Sequence, residues 1–396
     1  MLTIAHCADI HLDDRAHCAG TVILDSQGRN IRGEDRRRCF RAFAEGAIAR
    51  GVDLAIIAGD LYEHNKPWPS EECAATEVLD QLCARIPVLL LADNHGNAES
   101  ATERHAIEPL IGRNPLRLLV STRPELLTVS TRVGDVQICT LPSPRRSIVA
   151  AKDEYRGLIP GALNALICDK LRTILRGFRS QLDPTLPAIL AYHGGIQGAW
   201  LTELQQATGT GEIRLNPEDL DGFDYVALGD YHGFQMVTPR ACYSGSTDRC
   251  SANEEGQTKG WLHVELSDDR ELFPVVHLVE TPARRFMTLE PGQLRDKALL
   301  ERLEGEPLAE LPVVRVKGQV TQEEADQLQP YLTVWRQLPT FSEQLEITRE
   351  TRARSAEMTG ELTPEASLRL WHQTNSRPDD LGALLAAHRA LAGAAR

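Results

Sequence analysis

No apolar run in this chain approaches the roughly 18 residues that a membrane-spanning helix needs. The amino terminus reads directly as a core strand, without the basic and apolar segments of a secretory leader, so a cytoplasmic protein is expected. The nine cysteines are odd in number, scattered and never spaced as Cys-x-x-Cys. That argues against a zinc ribbon or disulfide framework and for reduced thiols. There is no internal repeat and no low-complexity tract. An excess of basic charge is also missing: 43 Lys and Arg face 56 Asp and Glu, a formal net charge of −13. A protein that grips nucleic acid alone generally shows a basic footprint. Here the arginine clusters Arg36-Arg37-Arg38, Arg145-Arg146 and Arg284-Arg285 read as solvated surface. Any nucleic acid would be gripped in part by another subunit.

What is present is a globular chain of 396 residues, long enough for two or three domains, with 42% hydrophobic and 25% charged residues. Strand-like and helix-like segments alternate as far as about residue 280. Cys39, Phe40, Phe43, Ala44, Ala47 and Ile48 share one helical face. Ser70 is placed to cap a second helix that carries Val78, Leu79 and Leu82 inward. Strand-like runs crowd the second half at Val136–Leu141, Cys242–Ser244, Trp261–Leu266 and Pro274–Val279. The fold class expected is α/β: a two-sheet sandwich sharing one core under flanking helices. A composition shift near Thr281-Pro282 begins a smaller α/β region. The expected boundaries are 1–281, 282–349, a polar linker 350–362 and a helical tail 363–396. The tail's two short amphipathic patterns, broken at Pro378, are too small to make a core of their own.

Five apolar runs end in residues able to hold a cation. Ile4-Ala5 leads to Asp9 and His11, Leu54–Ala58 to Gly59-Asp60, and Pro87–Ala92 to Asn94-His95. Ala188–Tyr192 leads to His193, and Tyr225–Gly229 to Asp230 and His232. Short apolar runs bounded by turn residues read as buried strands, and open α/β sheets gather ligands beyond the carboxyl ends of their strands. A lone Gly-Asp or Asp-x-His usually caps a turn, but recurrence at five strand ends implies a site for more than one cation. Asp9 and His11, two apart in an extended segment, would leave the same face. The remaining histidines, His6 and His105 among them, read as structural.

Carboxylate, amide oxygen and imidazole, without thiolate, suit Mn²⁺, Mg²⁺ or Fe. Two ions roughly 3.5–4 Å apart can bridge a water, lower its pKa and clamp a phosphoryl group. Asp60 is the natural bridge, and His95, next to a ligand, the candidate acid for the leaving oxygen. The expected chemistry is metal-dependent phosphoester hydrolysis.

The segments AHCADIHL, LAIIAGDLYE, LLLADNHG, AYHGGIQG, DYVALGDYHGFQ and CYSGSTDRCSANEEGQTKGWLHVEL resemble the calcineurin-like metallophosphoesterases, and among them the SbcD-like nuclease branch. The resemblance implies a DNA exo- and endonuclease with two metal ions, Mn²⁺ foremost, acting in repair or recombination. It makes 1–281 the nuclease domain and 282–349 a capping domain. Residues 363–396 would dock on a coiled-coil, SMC-like (SbcC-like) ATPase, and a homodimer is expected. It assigns Asp9, His11 and His232 to one metal, Asn94 and His193 to the other, Asp60 as bridge and His95 as acid. The family's Gly-Asn-His-Asp reads Asp93-Asn94-His95-Gly96 here, so the buttressing carboxylate precedes the Asn-His pair. Asp230 stands where a second-metal histidine is expected and is assigned as a ligand. Glu63 replaces a histidine, with His64 one place later.

Overall fold

The computed structural model describes residues 1–18, 20–96, 104–144, 146–150, 153–155, 157–200, 213–348, 363–375 and 381–393. All five apolar runs are strands. The elements begin β1 (Leu2–Cys7), α1 (Ile31–Arg50), β2 (Leu54–Ile57), α2 (Pro69–Cys83), β3 (Val88–Leu91), β4 (Leu118–Ser121), β5 (Glu125–Thr131) and β6 (Gly134–Leu141). They continue with α3 (Arg146–Ala150), α4 (Pro160–Arg179), β7 (Ala188–His193), the short β8 (Gly195–Ile196) and β9 (Arg214–Leu215), and β10 (Tyr225–Gly229). Next come β11 (Gln235–Thr238), β12 (Ala241–Tyr243), β13 (Gly260–Leu266) and β14 (Val275–Glu280).

Two six-stranded sheets form, of order β14-β13-β1-β2-β3-β4 and β11-β12-β10-β7-β6-β5. Strands β1 to β4 are mutually parallel, as are β6, β7, β10 and β12. Antiparallel β13, β14, β11 and β5 finish the edges. The alternation of side chains along each strand builds three apolar layers. Ile4, Leu54, Ile56 and Leu89 meet Ile138, Ile189, Tyr225 and Ala227 between the sheets. On the outer face of the first sheet, Ala5, Cys7, Ala55 and Ile57 pack with Phe40, Phe43 and Ala47 of α1 and Val78, Leu79 and Leu82 of α2. On the outer face of the second, Leu190, Tyr192, Val226 and Leu228 receive Leu163, Ile167, Leu171 and Leu175 of α4. The result is the expected two-sheet α/β sandwich.

Helix ends differ in detail from the sequence reading. Asn30 caps α1 by accepting from the Arg32 N–H at 2.9 Å, and Gly51 closes it in the left-handed conformation, φ 60°. In α2 the cap is Trp68, not Ser70. Pro69 fits the first helical position, where its missing N–H costs nothing. The Glu71 carboxylate then accepts from the N–H groups of Trp68 (2.6 Å) and Asp14 (2.7 Å).

The chain divides into two compact units, Met1–Lys317 with Tyr331–Gln344, and Gly318–Pro330 with Leu345–Arg396. Residues 282–317 therefore group with the sandwich, across the boundary expected at 281. A buried charge cluster ties them to α1. Arg284 places its guanidinium on Asp35 of α1 (2.5 and 3.0 Å) and on the Leu308 carbonyl (2.9 Å). Arg32 reaches the same Asp35 (2.6 Å) and Asp248 (2.8 Å). Arg36, also buried, donates to the His11 carbonyl. The reading of Arg36 and Arg284 as solvated surface is thus corrected: both are spent on internal carboxylates and carbonyls. Arg145 lies outside the described residues.

Beyond β14, β15 (Phe286–Leu289), β16 (Val313–Thr321) and β17 (Phe341–Thr348) form a three-stranded sheet of that order. Helices Lys297–Glu304 and Gln322–Trp335 match the sequence pattern. In the second unit, helices Pro364–Asn375 and Leu381–Gly393 are tied by Arg389 to Glu365 at 2.6 Å. The expected linker 350–362 and Pro378 lie outside the described residues. Among the described residues no helix is long and apolar enough to cross a membrane.

Candidate metal centre

Every candidate residue follows the carboxyl end of a parallel strand. Asp9 and His11 follow β1, Asp60 follows β2, Asn94 and His95 follow β3, His193 ends β7, and Asp230 and His232 follow β10. Asp9 and His11 are not extended, which corrects the sequence reading. Both are left-handed, at φ 53° and 51°, and the chain there clips onto the β2 loop through His11 N to the Asp60 carbonyl at 2.9 Å. Among the described residues, Asp9, His11, Asp60 (φ 50°) and Asp230 (φ 104°) are the non-glycine residues with positive φ. Such strain persists only where surroundings over-determine it, and it gathers at functional sites. Two glycines permit the crowding. A Cβ on Gly59 would lie 2.1 Å from His193 Nδ1, and one on Gly229 would lie 2.1 Å from the Ala58 carbonyl oxygen.

Asp60 sits at the middle, buried at 2% exposure. Its Oδ1 lies 3.5 Å from His193 Nε2, and its Oδ2 lies 3.6 Å from His11 Nε2 and 3.9 Å from His95 Nε2. On the Oδ1 side, His193 Nε2 is 2.9 Å from Asn94 Oδ1 and 3.8 Å from Asp230 Oδ1. The Asp9 carboxylate accepts from the Asp230 N–H at 3.0 Å. Asp9, Asp60 and His193 bring ligand atoms within 4.8 Å of one another, as do His11, Asp60 and His95, and also His11, His232 and Cys250. The structure therefore brings all eight sequence candidates together. Asp9 groups with Asp60 and His193, whereas the resemblance pairs it with His11 and His232.

The histidines are oriented from behind. His193 Nδ1–H donates to the Ala58 carbonyl at 2.7 Å. His11 Nδ1 faces Glu63 Oε2 at 3.0 Å, and His232 Nδ1 faces Glu254 Oε1 at 2.9 Å. A carbonyl or carboxylate can only accept, so Nδ1 of His193 and of His232 carries a proton and Nε2 of each faces the site. His11 Nε2 and His232 Nε2 face each other at 3.1 Å. A proton shared between the two nitrogens or a cation held by both satisfies that approach, and the buried Asp60 Oδ1 of the same cluster has no hydrogen-bond partner.

Electrostatics agree. Burial alone would raise the Asp60 pKa, but His193, His95 and His11 outweigh it and hold the carboxyl well below its usual range. Burial raises Asp9, with His232 opposing. Burial would lower His193, but Asp60 above all lifts it well above an ordinary histidine. For His232, Cys250 and Glu254 overcome burial in the same direction. The imidazoles are surrounded by a demand for positive charge that protons or metal ions can meet.

Four contributors escaped the sequence reading. Glu63 braces His11, and its carbonyl accepts from His95 Nδ1 at 3.0 Å. Glu254 braces His232 and pairs with Lys259 at 2.7 Å. Arg36 holds the His11 backbone. Cys250, which the sequence reading did not single out, brings its sulfur within 4.8 Å of ligand atoms of His11 and His232. Asp93 behaves as the displaced buttress: its Oδ2 accepts from Asp60 N–H at 2.9 Å and its Oδ1 from Gly96 N–H at 2.6 Å. His64 is a half-exposed loop residue 3.7 Å from Asp13.

Comparison with known proteins agrees with this geometry. Residues 2–137 match the calcineurin-like phosphoesterase family. Over 279 residues the chain is 26% identical to SbcD, the nuclease component of SbcCD from Staphylococcus epidermidis, covering 68% of each chain. Among solved structures, it is similar to purple acid phosphatase PPD1 from yellow lupin (Lupinus luteus) seeds, 10% identical with a TM-score of 0.39, covering 68% of this chain and 50% of that one. It is also similar to the sulfate thiohydrolase SoxB of Thermus thermophilus, 11% identical with a TM-score of 0.37, covering 70% and 56%. The chain spans about half the length of those two structures. Residues 2–137 thus carry a calcineurin-like phosphoesterase domain, of a family that uses divalent metals, and the chain as a whole is similar to SbcD.

Proposed function

We propose that this chain is a two-metal phosphodiesterase acting on DNA, the nuclease subunit of an SbcCD-like end-processing complex. The observation that carries the reading is Asp60, whose two oxygens face His193 on one side and His11 on the other. Asp9, Asn94, His193 and Asp230 would hold one ion and His11 and His232 the other, with Asp60 between them. Mn²⁺ is the expected metal, with Mg²⁺ or Fe as alternatives. When bound, the ions supply Lewis-acid activation of water and neutralisation of phosphoryl charge.

The chain's own residues do the rest. The Nδ1–H of His95 is fixed on the Glu63 carbonyl, which aims Nε2 into the site. Its side chain is 35% exposed, so a substrate oxygen can reach it. From there it can donate a proton to the leaving oxygen. Asp93 and Glu63 keep Asp60, His11 and His95 in register. In this reading residues 1–281 are the nuclease domain, 282–349 the capping region, and 363–396 the segment that docks on a coiled-coil ATPase. That partner, and pairing into a homodimer, would supply the DNA grip that a net charge of −13 withholds. The relative named as a nuclease of the SbcCD complex supports this substrate class.

The test is cleavage of linear duplex and hairpin DNA, with bis-p-nitrophenyl phosphate in parallel, under Mn²⁺ or Mg²⁺. Metal-dependent DNA cleavage, about 100-fold or more slower in His95→Ala, is expected. The acidic balance favours one second reading, a small phosphodiester substrate. Diester hydrolysis without DNA cleavage, even with the ATPase present, would establish that reading instead. Bound metal with no hydrolysis of either would leave a DNA-end scaffold.

A further inference from the structure

Cys250 differs from the other described cysteines in its surroundings. Seven of those are buried, and Cys73 is exposed on α2. Cys250 is partly exposed, and its Sγ lies within 4.8 Å of ligand nitrogens of both His11 and His232. Those are the two imidazoles whose Nε2 atoms face each other at 3.1 Å.

The loop is built to hold the sulfur there. Glu254 accepts from the Cys250 N–H through Oε2 at 3.1 Å while its Oε1 accepts from His232 Nδ1 at 2.9 Å. One carboxylate thus sets the backbone of the cysteine and the ring of the histidine together. Lys259, buried, fastens the far side: it pairs with Glu254 at 2.7 Å and donates to the His232 carbonyl and Ser246 Oγ, each at 2.9 Å. The preceding Arg249 is anchored on the carbonyls of Gln257 (2.6 Å) and Arg284 (3.0 Å). The thiol makes a long contact, 3.9 Å to the Asp248 carbonyl, and a hydrogen bond with the His232 ring, which points it at the ligand nitrogens.

We propose that Cys250 is a fourth protein ligand, as thiolate, beside His11, His232 and the bridging Asp60 on one side of the centre. This rests on the reading of the site as metal-binding. On binding, the thiol proton is released to solvent and the sulfur lone pair enters the bond. The two halves then differ in chemistry. Asp9, Asp60, Asn94 and Asp230 with His193 make an oxygen-rich half suited to Mn²⁺ or Mg²⁺. His11, His232 and Cys250 make a nitrogen–sulfur half that prefers Fe²⁺, Co²⁺ or Zn²⁺. The centre becomes a mixed-metal one, with an ordinary oxygen-loving ion beside a softer one.

The experiment uses the full chain, stripped with a chelator and titrated with Co²⁺. Calorimetry reads binding, and the near-ultraviolet spectrum reads thiolate-to-cobalt charge transfer. The proposal expects a charge-transfer band in the wild type that is lost in Cys250→Ser and kept in Cys73→Ser. It also expects Co²⁺ affinity to fall roughly tenfold or more in Cys250→Ser while Mg²⁺ affinity holds. Bound Co²⁺ without the band, or a band that survives Cys250→Ser, overturns the thiolate and leaves the metal centre standing. No bound Co²⁺ overturns both. Should Cys250→Ser fail to fold, absorbance of native protein during stepwise alkylation decides: loss of the band must track modification of Cys250, identified by mass spectrometry.

Discussion

Removing the Asp93 carboxylate should loosen two metal-site turns at once. Its Oδ2 holds the Asp60 N–H at 2.9 Å and its Oδ1 the Gly96 N–H at 2.6 Å, with His105 Nε2 3.5 Å away. Asp93→Ala leaves both N–H groups buried and unpaired, and each such orphan costs about 1–3 kcal/mol, or about 2–6 kcal/mol together. Asp93→Asn keeps one acceptor oxygen but turns an amide N–H₂ toward the other donor, so it should lose about half as much. Because Asp60 stands at a left-handed φ of 50°, losing its N–H partner also frees the turn that aims the carboxylate. Outer partners of this kind are worth about 10–100-fold in metal affinity. The assay is urea denaturation of metal-free protein, followed by calorimetric titration with Mn²⁺, for wild type, Asn and Ala. The order wild type, Asn, Ala is expected in both. An Ala variant as stable and as tight-binding as wild type would refute the idea that the displaced carboxylate buttresses the site.

Two further outcomes follow from buried charge. Burial drives the His6 pKa down to about 3, partly opposed by the Leu228 backbone, while the unfolded value is 6.5. Below pH 6.5 the unfolded chain takes up a proton that the fold refuses. His6 therefore withholds stability at about 1.4 kcal/mol per pH unit as the pH falls toward 3, and none of this loss is present well above 6.5. His6→Gln should flatten the pH dependence of denaturation free energy between pH 6 and 4 by that slope; parallel curves would contradict the assignment. Asp35→Ala strands Arg32 and Arg284 without their shared carboxylate, and breaking a buried pair in this way costs about 3–5 kcal/mol. A loss under about 1 kcal/mol by chemical denaturation would show that the cluster does not join residues 282–317 to α1.

The sandwich was legible because its strands are short, apolar and bounded by turns, and because Asp, Asn and His recur at their ends. Helix α4 carried an equally clear signal that went unread: Leu163, Ile167, Leu171 and Leu175 repeat every four residues and are all buried. The capping at Trp68 was hidden, because the deciding hydrogen bond is made by Glu71 to a residue outside the Ser/Thr/Asp/Asn set. Sequence pattern also missed what distant segments contribute. Glu63 and Glu254 brace histidines far from them in the chain, and Arg36 and Arg284 resemble surface arginines until folding brings Asp35 and the His11 carbonyl to them. Cys250 lies 239 residues from His11, and no local spacing relates them. The left-handed turns at Asp9 and His11 likewise come from backbone bonds to the β2 loop rather than from local preference.

The account stands most directly on the number of divalent ions bound per chain, measured by elemental analysis and calorimetry on wild type and Asp60→Asn. Two ions in the wild type, with both sites weakened together in Asp60→Asn, is the result expected of a carboxylate whose oxygens face both halves. No bound ions in the wild type, or two ions held as tightly after Asp60→Asn, would contradict it.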